Sequence, residues 1–159
     1  MHKKYLHLDL HPGNIFLENF DFETMTAGFA KFIDFYSAVK INEEGKGIKK
    51  EHLSFTNGFT APEQLNSNQV IFTASADTYA VAAITARMFL GKDFLSKTEK
   101  LDVGYSRELI YHGQNPILDI LLRKFLICGL EYSEDYRFTD ADKMRKTLSA
   151  LMELSLIHI

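Results

Sequence analysis

The chain of 159 residues is 46% apolar and 25% charged, with a formal net charge of −3; it fits one globular domain with a buried core and gives no electrostatic case for nucleic acid or an acidic membrane surface. Its single cysteine, Cys128, excludes an intramolecular disulfide and a cysteine-based metal site. No apolar run approaches the roughly 20 residues of a spanning helix, the first residues lack a secretion signal, and a cytoplasmic location is expected.

Short apolar pieces at residues 4–8 and 15–18 flank the polar stretch His11-Pro12-Gly13-Asn14. Pro and Gly are unfavourable inside a helix, so this predicts a loop between strand-like segments. A polar turn over residues 18–28 leads back through residues 30–33, predicting a hairpin that delivers Asp34 beside Asn14. Residues 38–41 and 47–50 flank a turn in which Gly45 and Gly47 are available for positive φ. Residues 58–65 read as irregular, with a short helix starting at Pro62.

Residues 75–90 are apolar on nearly every side, which predicts a buried helix stopping at Gly91. Residues 116–127 predict a second helix, with Ile117, Leu118, Leu121, Leu122 and Phe125 at helical spacing. A last helix is predicted from Thr139, capped through Thr139 and Asp142 and presenting Met144, Leu148 and Leu151 on one face. Short strands come first and helices afterwards. The fold class expected is α+β, mainly α: small β-hairpins followed by a helical bundle.

Residues 7–14 read His-Leu-Asp-Leu-His-Pro-Gly-Asn, and Ile33-Asp34-Phe35 follows twenty residues after Asn14. Asp9 and Asn14 stand five apart, with Asp34 behind a strand pair. Such spacing sets a base beside two hard oxygen donors suited to Mg²⁺. Asp9 would accept or orient a hydroxyl proton, while Asn14 and Asp34 would hold the metal. Asx residues also cap turns, so the octapeptide alone leaves a purely structural reading open.

These residues resemble the catalytic loop and metal-binding Asp of protein kinases, whose patterns are H-R-D-L-x-x-x-N and D-F-G. Ala61-Pro62-Glu63, preceded by Thr56, looks like the family's substrate-docking segment. Asp77 matches the Asp that receives backbone N–H groups from the catalytic loop, and Arg137 matches the Arg that pairs with the docking-segment glutamate, here Glu63. The resemblance covers residues 5–150 and implies a protein-kinase C-lobe. It implies ATP and Mg²⁺ as cofactors, a protein hydroxyl on serine or threonine as acceptor, Asp9 and His11 as catalytic residues, and Asn14 and Asp34 as metal and nucleotide ligands. It further implies that His7 packs beneath Phe35, that Thr56 bonds near Asp9, and that Glu63 and Arg137 form a bidentate pair. Aminoglycoside and choline kinases share His-x-Asp-x-x-x-x-Asn and Ile-Asp-Phe but lack the set Glu63, Asp77 and Arg137. A small-molecule phosphotransferase and a non-catalytic kinase-like binding module are the alternatives.

Three positions depart from the family. Leu8 replaces the Arg that reads activation-loop phosphate, which weakens regulation through Ser54 or Thr56 phosphorylation. Tyr36 replaces a Gly, restricting backbone states near Asp34. His11 replaces a phosphate-binding Lys with a shorter, mostly neutral group. A Gly-rich loop and a strand lysine do not precede residue 7, and Lys3 and Lys4 lie too close to the catalytic loop to serve. The expectation is a truncated C-lobe over residues 1–153, inactive alone, lacking the N-lobe that would pack on it and exposing on the order of several hundred Å² of apolar core. Residues 154–159 match the translation of a transposon end used to build sequencing libraries and are expected to be a non-native tail. Cys128 reads as a small buried hydrophobe, and His52 and His112 as surface residues without a second ligand nearby.

Overall fold

The computed structural model describes residues 5–21, 23–24, 28–48, 53–66, 68–90 and 116–156. Among the described residues, three small antiparallel pairs form the β part. β1 (Tyr5–Leu6) pairs with β4 (Val39–Lys40), β2 (Ile15–Glu18) with β3 (Phe29–Phe32), and β5 (Gly47–Ile48) with β6 (Ile71–Phe72). The β2–β3 hairpin is the one expected around the polar turn, with Ile15 opposite Phe32. The turn between residues 41 and 47 is closed by a single bridge from Ile41 to Gly47; β5 then pairs with β6, a strand the sequence reading did not anticipate.

Among the described residues there are four α-helices, α1 (Pro62–Leu65) before β6 and, after it, α2 (Ala74–Leu90), α3 (Pro116–Gly129) and α4 (Ala141–Leu156). The architecture is α+β, as expected. Thr73 starts α2, its Oγ1 accepting the Ser75 N–H at 3.4 Å. Along α2, Ala76, Ala80, Ala82, Ala83 and Ala86 are buried. Small side chains there let α3 come close: a Cβ added to Gly129 would stand 2.4 Å from the Ala82 Cβ. Phe72, Phe125 and Leu126 fill the remaining volume, and Met144 of α4 closes the core from below.

The predicted start of α4 needs correction. Its cap is Asp140, whose Oδ1 accepts the Lys143 N–H at 2.8 Å, and the helix begins two residues after Thr139. Asp142 does not complete a capping box because its carboxylate pairs with Arg145 and Lys146 inside the first turns. Leu148 packs against the core; the Leu151 side chain lies outside the described residues, as do Gly91, His52, His112, Lys3 and Lys4. Helix α4 continues through Leu156, so residues 154–156 of the expected tail are helical.

Apolar surface stays open beside the site. The β2–β3 hairpin exposes Phe16, Phe29 and Phe32. A cleft of about 1190 Å³ lined by Leu6, Leu10, Phe35, Val81 and Met144 runs along α2. Among the described residues, no helix is long and apolar enough to cross a membrane.

Candidate active site

The loop after β1 alternates apolar and polar residues, and packing separates them. Leu8 and Leu10 are buried, whereas Asp9 is half-buried and Pro12 and Gly13 are exposed. Leu8 adopts φ 62, a left-handed state that costs a non-glycine residue about 1–3 kcal/mol unless its surroundings impose it. Asp77, in the first turn of α2, imposes part of it: Oδ2 accepts the His7 N–H and Oδ1 the Leu8 N–H, each at 2.8 Å. Burial pushes the Asp77 carboxyl above the ordinary carboxylate range, opposed by those two amides, although the residue keeps one side on the cleft.

A 3-10 turn over Pro12–Asn14 then brings Asn14 back under Asp9. The Asn14 side chain is buried and donates from Nδ2 to the Asp9 carbonyl at 3.0 Å, which turns its Oδ1 away from that carbonyl. Its own carbonyl accepts the Ile33 N–H at 3.0 Å, so the hairpin delivers Asp34 next to Asn14 as anticipated. Asp34 is exposed, lies at φ 58, and accepts the Tyr36 N–H on Oδ1 at 3.3 Å. Of Asp34 and Tyr36, the left-handed residue is therefore Asp34, a type that tolerates that region. Tyr36 has negative φ and fits its position without the freedom of glycine.

On Asp9, Oδ1 accepts the Thr56 hydroxyl at 2.8 Å. His11 accepts the Gly13 N–H on Nδ1 at 3.1 Å. That bond assigns the proton of a neutral ring to Nε2, which becomes the donor. A Cβ at position 13 would lie 2.9 Å from the His11 ring, so any larger residue there would displace that imidazole.

Asn14 Oδ1 and the Asp34 carboxylate are hard oxygen donors on adjacent pieces of backbone. Among the described residues no group of three or more His, Cys, Asp or Glu side chains forms a metal cage. Two donors suit a cation that keeps water and phosphate oxygens for its other positions, the usual habit of Mg²⁺. The residues present fit that ion.

The remaining predicted positions also come together. His7 is buried, its Nε2 lies 3.0 Å from the Ile33 carbonyl, and its ring stands 4.9 Å from that of Phe35. Arg137 is buried and contacts Glu63, joining α1 to the turn over Glu134–Tyr136. The contact is not the expected bidentate fork. One nitrogen, Nη2, reaches Glu63 Oε2 while Nη1 donates to the Ser75 carbonyl at 3.1 Å. Glu63 Oε1 and Arg137 Nε are left buried without a partner. The guanidinium also lies over the Tyr79 ring at 5.3 Å. Cys128 is half-buried and not part of the core; its Sγ faces the Tyr136 carbonyl at 3.6 Å and burial raises its pKa, which suits an inert thiol.

Sequence reasoning passed over three residues of this framework. Ser37, buried, accepts the Ser54 N–H at 2.8 Å and holds the extended chain that leads to Thr56. Ser75 supplies the carbonyl that divides the Arg137 fork. Gln64 donates to the Leu8 carbonyl. No local signal marks them, since each acts through a partner distant in the chain. A search of curated proteins finds no match. The protein kinase domain family matches residues 1–150, almost the whole chain, in agreement with the Asp9–Asn14–Asp34 loop and the Glu63–Arg137 tie; the chain belongs to the protein kinase domain family.

Proposed function

We propose that this chain is the C-terminal lobe of an ATP- and Mg²⁺-dependent serine/threonine protein kinase. The observation that carries the reading is the Thr56 hydroxyl on Asp9 Oδ1. It joins the docking segment, itself anchored by Glu63 and Arg137, to the proposed base. Asp9 orients the acceptor hydroxyl and takes its proton. Thr56 holds that carboxylate on the side where an acceptor carried by a docked polypeptide would lie. His11 donates from Nε2 toward phosphate oxygen, a weaker contact than a lysine makes. Asn14 and Asp34 hold Mg²⁺, which when bound neutralises phosphate charge. The acceptor is a protein serine or threonine, and an N-terminal lobe packs on the exposed hairpin to complete the nucleotide cleft. The isolated chain is then inactive, and the working location is cytoplasmic.

The test uses the full-length gene product with radiolabelled ATP, Mg²⁺ and protein or peptide acceptors. Phosphate transfer to serine or threonine is expected, and Asp9→Asn should lower it about 10²–10⁴-fold. Transfer only to an aminoglycoside or choline would instead assign a small-molecule phosphotransferase. A folded protein that fails to bind Mg²⁺·ATP by calorimetry would be a binding module.

A further inference from the structure

Both peptide groups flanking Leu8 are clamped by side chains from elsewhere in the chain. Asp77 takes its N–H, and Gln64 Nε2 donates to its carbonyl at 2.7 Å. That carbonyl belongs to the planar Leu8–Asp9 peptide, so fixing its direction also fixes the plane from which the Asp9 side chain departs. The same Gln64 amide turns Oε1 to the Ala61 N–H at 3.1 Å. Gln64 is 2% exposed, and both ends of its amide are thereby satisfied.

We infer that Gln64 is a positioning residue that couples the docking segment to the proposed base. The inference rests on the phosphotransfer reading above and adds a route of regulation to that site. One buried amide donates to the catalytic loop and accepts from the docking segment, so moving Ala61 pulls on the Leu8–Asp9 peptide. Leu8 carries no charge with which to read a phosphate. The link therefore works through neutral hydrogen bonds and needs no modification of the docking segment. Released from Gln64, the Leu8–Asp9 peptide has one fewer restraint against leaving the left-handed state at Leu8.

The experiment compares Gln64→Met and Gln64→Glu with the parent in the full-length gene product. Gln64→Met keeps the volume and removes both bonds. It should lower kcat at least about tenfold with KM for ATP within about twofold, and should speed hydrogen exchange across residues 7–10 without changing residues 122–130. Gln64→Glu loses the donor while ionised and regains it when protonated. Its kcat should recover as pH falls, a profile that a merely structural side chain would not produce. Unchanged kcat and unchanged exchange in a folded Gln64→Met protein overturn the inference. Should that variant not fold, a flat pH profile for Gln64→Glu does the same. If the parent transfers no phosphate, the functional reading fails while exchange across residues 7–10 still decides whether Gln64 holds the loop.

Discussion

The Arg137 guanidinium meets the Glu63 carboxylate through Nη2 alone, because Nη1 is committed to the Ser75 carbonyl at 3.1 Å. The two residues lie 74 positions apart, and their contact ties α1 to the turn before α4. A buried pair of this kind is hard to replace one partner at a time.

Removing one side should therefore be severe. Arg137→Met is expected to cost about 3–5 kcal/mol, since it strands the Glu63 charge in a buried site. Replacing both partners, Glu63→Met with Arg137→Met, should cost much less than the single change. Urea denaturation of the four proteins gives the coupling; additive losses would contradict it.

Gly129 sets the distance between α2 and α3. A Cβ there would meet the Ala82 Cβ at 2.4 Å, so Gly129→Ala should destabilise by about 1–3 kcal/mol through overpacking. Ala82→Gly in the same chain should restore part of the loss by removing the opposing methyl. Melting temperatures of single and double variants settle it, and the pair should be non-additive.

Tyr79 reports on burial beside Arg137. Its hydroxyl is pushed up from 10.0 to about 12, chiefly by burial, with Arg137 opposing. A folded-state value above the unfolded one means that the proton is held more tightly in the folded protein. The corresponding stability is complete below about pH 10 and is lost as pH climbs to about 12, amounting to about 3 kcal/mol. Tyr79→Phe should flatten this limb of the stability curve, measured by denaturant titration across the window. An unchanged alkaline limb would show that another group controls it.

Asp34 and Asn14 should act together on Mg²⁺. In the full-length gene product, Asp34→Asn removes the anionic donor and should weaken Mg²⁺ binding about 10-fold or more, read by calorimetry in the presence of nucleotide. Asp9→Asn should leave that affinity within about twofold, because its Oδ1 is turned to Thr56. Equal losses in both variants would place the metal on Asp9 as well.

Much of the site was legible because its residues are close in the chain. Pro12 and Gly13 marked the loop, and the hairpin of β2 and β3 follows from two short apolar runs around a polar turn. The buried helix was legible in its unbroken apolar residues, and α3 in its helical spacing. The cap of α4 was misread because Thr139 and Asp140 both suit that role. Only the Lys143 N–H on Asp140 Oδ1 shows which one is used.

Local pattern thus determined which residue types carry the chemistry and where strands give way to helices, since period and turn chemistry act within a few residues. Tertiary structure alone decided the left-handed state of Leu8, the divided fork of Arg137 and the place of Gln64. Gln64 and Leu8 stand 56 positions apart, and His7 and Asp77 stand 70 apart. A buried donor or acceptor takes whichever partner the packed core brings within reach, and that choice exists only once the chain has closed on itself.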